Sequence, residues 1–573
     1  MSNSAWNMYV FRDGKRTVSG DELISSLNGA LRRWRSAPEH DAEDCVLAAL
    51  IAAGELECAL LDGTADDATH SESCSIASEI TEALAVAFLT GQRHSYLSIL
   101  QCAQRLRVAA RYASRYQVAV QEGFAYYALH PHKIATLLDT LELKSPVAVL
   151  GIRSIGVTLS AVACAALRLR GIECQRFTVR PIGHPYDRQL ELTPELCEWL
   201  AHAHDAGFLV VDEGPGISGS SFLAVAEALV KCGVEAERIQ MIGSRAVDPS
   251  TLRATNARER WTRYRFHVMQ NEPLAPAEAG ESLSGGIWRR YFHCEDGAMP
   301  ASWAPLEPAK FLARDERSIF KFEGIGHYGE AIGLRARLLA ECGFSPRYLG
   351  NQRGFGQYEL VPGRVLKPCE RSPEMLNRMA AYLALRFTAF ASDTPQTPEI
   401  ESMLRWNWQL EFGEELGAVE TELCIARVVV CDGRMMPQEW LRTGGGELLK
   451  LDAGSHGDNH FFPGPCDIAW DVAGAIVEWE LQDELRERFV DAYEARSRDA
   501  VAGRLAPYLL AYATFRMGWS KMAALAMQGE YDEALLFRDY EKYRAFALRL
   551  RPSPLSLASS EEPANASPSM RAA

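Results

Sequence analysis

The sequence predicts an α/β fold: a parallel-sheet domain, followed by an α+β domain whose C-terminal part is mainly helical. Short apolar runs alternate with helical patterns between about residues 147 and 243. This alternation is typical of a parallel sheet with helices on its faces. The second domain follows a Pro-containing, aromatic stretch, begins with strand-like patterns and becomes mainly helical after about residue 475.

Length and composition limit the function. A chain of 573 residues is too long for one hydrophobic core. Its net charge of -15 argues against a broad nucleic-acid surface, which needs clustered Lys and Arg. The 14 cysteines form no CxxC pair, the N-terminal stretch lacks the apolar core of a signal peptide, and Arg153 interrupts the longest apolar run. We therefore expect a cytoplasmic protein with small-molecule substrates, no nucleic acid and no membrane, in an oligomeric state the sequence leaves open.

Five segments follow from the changes in composition along the chain. An N-terminal mixed and helical region, with a strand-like start at Met8 to Phe11, covers 1–90. The parallel-sheet domain covers 91–270, a linker 271–310 and the α+β domain 311–550. The tail, 551–573, is small, polar and Pro-rich, and such a composition predicts disorder.

The apolar runs of the parallel-sheet domain, taken in chain order, predict its strands. "VAVLGIRS" and "ECQRFTVRP" predict the first two strands, with the helix "TLSAVACAALRLRG" between them. The helix "ELCEWLAHAH", the strand "GFLVVDE" and the helix "SSFLAVAEALVKCG" come next, and "RIQMIGS" closes the series. Ligands bind at the carboxyl ends of strands in such sheets.

Two of these strand ends carry unusual loops. After "GFLVV", Asp212 and Glu213 offer carboxylates suited to sugar hydroxyls, directly or through a hydrated magnesium ion. The turn that follows offers hydroxyls and backbone N–H groups to a phosphate; it contains Ser218, Gly219, Ser220 and Ser221. After "VAVL", the loop "GIRSIG" brings Arg153 and Ser154 to the same edge, where Gly151 and Gly156 would let the backbone approach an anion.

This arrangement, over about residues 90–250, resembles the type I phosphoribosyltransferases. In that family an apolar strand, two acids, a short spacer and a Ser/Thr-Gly turn bind phosphoribosyl pyrophosphate with Mg²⁺. The resemblance implies that Asp212 and Glu213 hold the ribose hydroxyls and that Ser218 to Ser221 hold the 5-phosphate. It assigns the pyrophosphate to Arg153 and Ser154.

The spacer and the stretch after the second strand differ from the family pattern. Ile217 stands where purine enzymes often carry an Asp, so a purine-salvage activity is not expected. "RPIGHPYDR" could cover the acceptor, with His184, Tyr186 and Arg188 as its polar groups. The alternative to a sugar-phosphate site is an ordinary helix N-cap, where Asp and Ser are common.

The second domain resembles the aminoglycoside-phosphotransferase branch of the protein-kinase-like fold, over about residues 311–545. "SIFKF" and the following helix place Lys321 and Glu330 as the ion pair that contacts ATP phosphates. The resemblance makes Glu439 and Asp452 magnesium ligands, and Asp471 the residue that braces the catalytic loop. ATP is therefore a further candidate ligand.

The catalytic loop departs from that family. "GRMMPQEWL" places Arg434 where the catalytic Asp belongs, and an arginine cannot accept a proton from a hydroxyl. Asp432 lies two residues away and could replace it only if the loop shifts. "GSHGDNHFFPG", which carries His456, Asp458 and His460, superficially copies a His-Gly-Asp catalytic loop but is read as an insertion after Asp452. That insertion could bind a metal, or, in preference, it is a polar loop without fixed partners.

Three classes of function remain open. The preferred one is phosphoribosyl transfer to a small acceptor, with a kinase-like half that binds a nucleotide. The second is a bifunctional kinase and phosphoribosyltransferase. The third is a sensor that binds nucleotide without turnover. The acceptor cannot be read from the sequence, because the covering segment carries its specificity.

Overall fold

The structure of the protein is a computed structural model that describes residues 8–63, 68–93, 95–109, 115–203, 205–270, 272–291, 299–393 and 397–551. The chain divides into two compact units. The first contains Met1–Arg12, Trp288–Leu306 and Pro362–Ala573, and the second contains Asp13–Ile287 and Glu307–Val361. The division therefore falls within both the predicted linker and the predicted α+β domain. The expected disorder after residue 551 lies outside the described residues.

The second unit begins with a helical layer. Strands β1 and β2 form an antiparallel pair in which Arg16 lies opposite Val118. Four α-helices lie between these two strands in the described part of the chain. The elements are β1 (Arg16–Ser19), α1 (Gly20–Ser36), α2 (Ala42–Leu61), α3 (Ala68–Thr90), α4 (Tyr96–Ala109) and β2 (Arg115–Val118). Helix α1 starts at a capping box, because the Ser19 hydroxyl accepts from the Glu22 N–H while the Glu22 carboxylate accepts from the Ser19 N–H.

The predicted parallel sheet is confirmed. Its five strands are ordered β4-β3-β7-β8-β9, all parallel. The elements are α5 (Glu122–Ala125), α6 (His132–Leu138), β3 (Val147–Ile152), α7 (Ile155–Leu169), β4 (Cys174–Val179), β5 (Ile182–His184), β6 (Asp187–Gln189), α8 (Pro194–His202), β7 (Gly207–Val211), α9 (Ser220–Lys231), β8 (Ile239–Gly243), α10 (Ala257–Trp261) and β9 (Arg265–Val268). β3 and β7 are buried throughout, which explains their continuous apolar sequence.

An antiparallel sheet completes the second unit. Its strands are ordered β10-β11-β12-β14-β13, and Lys321 pairs in register with Lys310. The elements are β10 (Ala279–Ser282), β11 (Lys310–Ala313), β12 (Ser318–Phe322), α11 (His327–Glu341), β13 (Tyr348–Gln352) and β14 (Phe355–Glu359). Part of the predicted linker is thus the edge strand β10.

The first unit is mainly helical, as predicted for the C-terminal part. It has a three-stranded sheet, β15-β17-β18, and a two-stranded pair, β16-β19. Its elements are β15 (Gly363–Val365), α12 (Pro373–Ala389), α13 (Thr397–Phe412), α14 (Ala418–Thr421), β16 (Val428–Val430), β17 (Trp440–Thr443), β18 (Leu448–Lys450), β19 (Pro465–Asp467), α15 (Ala469–Glu478), α16 (Asp483–Ser497), α17 (Leu505–Ala526) and α18 (Tyr531–Arg549).

Two local expectations change. The strand-like start at Met8 to Phe11 is not a strand, because Phe11 makes only an isolated bridge to Phe461. Within α3, Ser71–Thr90 is long and apolar enough to cross a membrane by length and composition, and half of that stretch is buried inside the structure. A core helix passes the same test, and Ile80 and Leu84 of this helix belong to the hydrophobic core.

Candidate functional site

The carboxyl edge of the parallel sheet has a topological switch point. The first strand, β3, lies between the second, β4, and the third, β7. The chain therefore leaves β3 and β7 towards opposite faces of the sheet, and a crevice forms between the two loops. These are the loops that carry Arg153–Ser154 and Asp212–Gly219. The predicted residues of the two loops thus end on neighbouring strands.

The two acids after β7 are partly buried, and neither forms an ion pair with a described residue. The Glu213 carboxylate accepts from the Gly123 N–H at 2.7 Å, and Asp212 accepts from the Glu213 N–H at 2.8 Å. Burial raises the pKa of Asp212 to about 7, against the opposing charges of Arg180 and Arg188. Burial, aided by the charges of Glu122 and Asp212, raises the pKa of Glu213 to about 8. Such groups favour a bound cation or a hydroxyl donor.

The Ser-Gly turn lies directly under the predicted cover. Gly219 takes the left-handed conformation at φ 73° as the N-cap of α9, and the Ser218 and Ser220 hydroxyls are 3.0 Å apart. The Ser220 hydroxyl donates to the Pro185 carbonyl at 2.6 Å. Pro185 is in the turn of the β5–β6 hairpin, whose strands contain His184 and Arg188. The hairpin is thus held against the turn that was predicted to bind phosphate.

The loop after β3 has a strained backbone, and the side chain of its arginine is bound by other groups of the protein. Ser154 has φ 135° and ψ -119°, a conformation that side chains rarely adopt outside functional sites. Arg153 Nη1 donates to the Leu61 carbonyl at 2.8 Å and lies 3.2 Å from Asp62 Oδ1. The guanidinium is therefore at the predicted edge, but in the described structure it is held by α2 and the residue that follows it.

The two glycines in this loop have a packing role, and their predicted role in anion binding stays a prediction. A Cβ on Gly151 would lie 2.2 Å from the Gly156 carbonyl oxygen, and one on Gly156 would lie 2.7 Å from that of Val211. The backbones of β3, α7 and β7 come too close for a side chain. Both glycines are thus required by protein packing, which accounts for them without a bound anion.

Two arginines at this edge were missed by the sequence argument. Arg180 directly follows β4 and pairs with Asp62, and Arg245 follows β8 and lies close enough to Glu213 to oppose the rise of its pKa. The Ser244 N–H also donates to the Glu213 carbonyl at 2.6 Å. Their position in the sequence could have identified them, because both arginines come within two residues of a predicted strand end.

The first unit contains a second polar cluster, around the loop after β16. Asp471, in the first turn of α15, accepts from the Asp432 N–H at 2.7 Å and from the Gly433 N–H at 2.8 Å. This is the contact that the predicted bracing role requires. Asp432 is fully buried, and its carboxylate accepts from the Tyr382 hydroxyl. Asp432 is therefore enclosed by protein groups in this arrangement of the loop, and its predicted replacement of a catalytic base after a loop shift stays a prediction.

The predicted magnesium ligands lie together in the same unit. Glu439 and Asp452, with His456, each offer a ligand atom within 4.8 Å of the other two. Lys450 Nζ lies 3.4 Å from Asp432 and 3.8 Å from Glu439. The preference for a polar loop without fixed partners is wrong for His456, which is buried beside Asp432 and Asp452. It is also wrong for His460, which is buried against aromatic rings.

The remaining predicted nucleotide residues belong to the second unit. Lys321 is buried in β12, and Glu330 is in the first turn of α11. The Glu330 carboxylate lies 2.9 Å from Arg33 Nη2 of α1. The predicted pairing of Lys321 with Glu330 stays a prediction.

No family model matches the chain, and no curated protein matches it. Solved structures do. Choline kinase LicA from Streptococcus pneumoniae shares 14% identity at a TM-score of 0.32, over 42% of this chain and 90% of that one. An ethanolamine kinase from Plasmodium vivax shares 10% at 0.31, over 42% and 79%. A putative aminoglycoside phosphotransferase from Ralstonia eutropha shares 14% at 0.32, over 46% and 94%. Likenesses this low assign no reaction to the chain.

Proposed function

We propose that the carboxyl edge of the parallel sheet binds phosphoribosyl pyrophosphate with Mg²⁺ and transfers the phosphoribosyl group to a small acceptor. The observation that carries the proposal is the position of Asp212, Glu213 and the Ser-Gly turn at the switch point of the sheet. Open α/β sheets bind their ligands there.

The shape and charge of the edge support this ligand. Two carboxyls that form no ion pair with a described residue suit vicinal hydroxyls or a hydrated Mg²⁺, which prefers oxygen ligands. The start of α9 offers N–H groups and hydroxyls to a 5-phosphate. Arg153 and Arg180, both held by Asp62, could exchange that carboxylate for a pyrophosphate.

In the reaction, the bond from C1 of the sugar to the pyrophosphate oxygen breaks, its electron pair leaves with the pyrophosphate, and a bond from C1 to the acceptor atom forms. The proton that this atom loses passes to the released pyrophosphate or to solvent. Asp212 and Glu213 would hold the 2- and 3-hydroxyls, so that C1 is fixed towards the acceptor. The arginines would stabilise the negative charge that develops on the departing pyrophosphate. Bound Mg²⁺ would supply further neutralisation of that leaving group. The β5–β6 hairpin would restrict access of water.

Calorimetric titration with phosphoribosyl pyrophosphate and Mg²⁺ tests the proposal. We expect binding to the wild type and its loss in Asp212→Asn/Glu213→Gln, together with the loss of pyrophosphate release. The chain offers a matched control, Asp315→Asn/Glu316→Gln, which changes the same pair of residue types in an exposed loop of the same unit. Wild-type binding that survives in the first variant, or no wild-type binding, would refute the proposed function.

A second candidate function has its own observation. The cluster of Glu439, Asp452 and His456, beside a loop braced by Asp471, supports binding of a divalent cation and a nucleotide by the first unit. Because Arg434 stands at the position of the base, we infer binding of MgATP without efficient transfer to a hydroxyl. Asp471 would keep the loop in place, and Glu439 with Asp452 would hold the cation.

Titration with MgATP separates this candidate from the first. Asp452→Asn should weaken MgATP binding by at least about tenfold, which is roughly 1.4 kcal/mol, and leave phosphoribosyl pyrophosphate binding unchanged. Asp491→Asn, at an exposed position of α16, is the control. Rapid, acceptor-dependent ATP consumption by the wild type would favour the bifunctional alternative. Equal MgATP affinity in the two variants would exclude a role for Asp452.

A further inference from the structure

A cavity of about 660 Å³ opens beside the carboxyl edge of the parallel sheet, within the second unit. This volume is in the range of small-molecule sites. Ser154 and Arg188 of the edge line it, and so do β2 and the residues after it, from Arg115 to Ala119. Lys15, Glu55 and Asp62 line it as well, so the N-terminal region, which had no predicted role, forms part of its wall.

The charged side chains that line the cavity carry a net positive charge. Its two acids are both compensated: Asp62 pairs with Arg153 and Arg180, and Glu55 lies 2.7 Å from Arg16. The remaining cations are Lys15, Arg115 and Arg188. Among the described residues, Lys15 has an exposed ion pair with Asp13, which is weak in water, and Arg115 has no hydrogen bond or ion pair to a side chain. The hydrogen bonds with Ser19 lower the pKa of the exposed Glu22 carboxyl, and the charge of Arg115 adds to this effect.

The cations fall into two groups. Arg180 and Arg188 are close enough to Asp212 to lower the pKa of its carboxyl, against the larger effect of burial. Both therefore lie on the side of the cavity next to the carboxyl edge of the sheet. Lys15 and Arg115 belong to the strand pair β1–β2 and the residue before it, so their charges are available to a second anionic group.

One buried amide also faces this cavity. Gln121 lines it and is 1% exposed, and its side-chain oxygen has no hydrogen-bond partner among the residues that the structure describes. A buried acceptor that is left unpaired is unfavourable, so a ligand N–H there would be favoured. Gln121 is two residues before Gly123, whose N–H holds Glu213. The amide is therefore close in the chain to the residue whose N–H holds Glu213, the acid proposed to fix the sugar.

We propose that this cavity is the acceptor site, and that the acceptor is a small anion that also carries an N–H group. Its acidic group would bind Arg115 and Lys15, and its N–H would donate to the Gln121 side-chain oxygen. The acceptor role rests on the proposed phosphoribosyl transfer. The preference for an acidic, N–H-bearing ligand rests on the cavity alone.

Three related probes test the preference by ligand-observed NMR. Pyrrole-2-carboxylate has both groups, furan-2-carboxylate lacks the N–H, and pyrrole-2-carboxamide lacks the charge. We expect pyrrole-2-carboxylate to bind with a Kd of about 1 mM or below and the other two at least about tenfold more weakly. Arg115→Gln should remove the preference for the acid, and Gln121→Met the preference for the N–H. Arg347→Gln, at an exposed arginine of the same unit, should change neither.

The same samples separate this inference from the proposed function. With Mg²⁺ and phosphoribosyl pyrophosphate bound, pyrrole-2-carboxylate should still bind, and Arg115→Gln should leave phosphoribosyl pyrophosphate affinity unchanged. Competition between the two ligands would overturn the acceptor role. Absence of pyrrole-2-carboxylate binding, equal affinity for all three probes, or preferences that survive both substitutions would overturn the inference. Selective probe binding without any phosphoribosyl pyrophosphate binding would instead refute the proposed function.

Discussion

The two polar clusters of this protein differ in how their charges are compensated. In the first unit, burial pushes the pKa of Asp432 up, but Lys450, His456 and Arg386 together hold it below its usual range. In the second unit, burial raises the pKa of Asp212 to about 7 and that of Glu213 to about 8, and among the described residues neither carboxylate forms an ion pair. Burial also raises the pKa of Asp471 in the cluster of the first unit, to about 6. The contrast is therefore between Asp432, which its partners keep ionised, and the two acids of the sheet edge, whose protonated forms burial favours.

This difference suggests a division between structural and functional charge. A buried charge that is fully paired fixes the shape of a loop, and removing its partner is costly. Acids whose ionised form is disfavoured in the free protein reduce stability and are typical of binding and catalytic sites. Substitutions in the two clusters should therefore change stability in opposite directions.

The largest expected effect is in the first unit. Arg386 is fully buried, donates to the Tyr382 hydroxyl and the Ala453 carbonyl, and lies 3.9 Å from both Asp432 and Asp471. Arg386→Met would leave the two acids short of positive charge, and we expect a loss of about 3–5 kcal/mol. Hydrogen exchange of the 428–440 segment measures it locally, which suits a chain with two units.

The control for this substitution is Arg488→Met. Arg488 is exposed and forms a helical ion pair with Glu484 at 3.8 Å, which is worth only about 0.3–0.5 kcal/mol. Similar protection of the 428–440 segment in both variants would show that the cluster does not depend on Arg386. The proposed contrast between the two regions would then be lost.

A smaller effect of opposite sign is expected at the sheet edge. Because the folded protein holds the pKa of Asp212 and Glu213 above the usual value of about 4, it binds more protons than the unfolded chain between about pH 4 and pH 8. Ionisation of these groups therefore costs stability as the pH rises through this range. Asp212→Asn/Glu213→Gln should be more stable than the wild type by about 2 kcal/mol near pH 8, and the advantage should fade towards about pH 4.

Hydrogen exchange of β7, in metal-free buffer at several pH values, measures this difference. The double variant Asp315→Asn/Glu316→Gln is again the matched control, and its stability should follow the wild type at each pH. A destabilised edge variant at high pH would mean that the two carboxylates are well compensated in the folded protein. The comparison with Asp432 would then fail.

The smallest effect concerns the strained loop. Ser154→Gly should relieve the cost of φ 135° but add freedom to the unfolded chain. We expect a net gain of about 1 kcal/mol in the protection of the 147–160 segment. Ser402→Gly, at an exposed position inside α13, should lose about 0.5–1 kcal/mol. A loss at Ser154 as well would mean that its side-chain contacts outweigh the strain.

Several features followed directly from local sequence. Continuous apolar runs predicted β3 and β7, and the acids and small residues after β7 predicted a loop followed by a helix. These features depend on neighbours in the chain, because strand burial and helix capping act over a few residues. The placement of both loops at one edge also followed, since parallel strands share their carboxyl ends, whereas the spatial order of the strands came only from the structure.

Other features depend on residues far apart in the chain. The sequence could not show that Asp62 of the N-terminal region holds Arg153 and Arg180, or that Gly151 is required by the approach of α7. It also assigned His456 to a polar loop, whereas packing buries it beside Asp432.

The sequence by itself thus determined the elements, their order and the residue types at the two candidate sites. Only the tertiary structure decided which charges are neutralised, which loop is strained and which residues line the cavity. The physical reason is that desolvation and pairing depend on distances of a few ångströms between groups brought together by folding. Local sequence determines conformation, whereas the environment of a side chain is set by the whole chain.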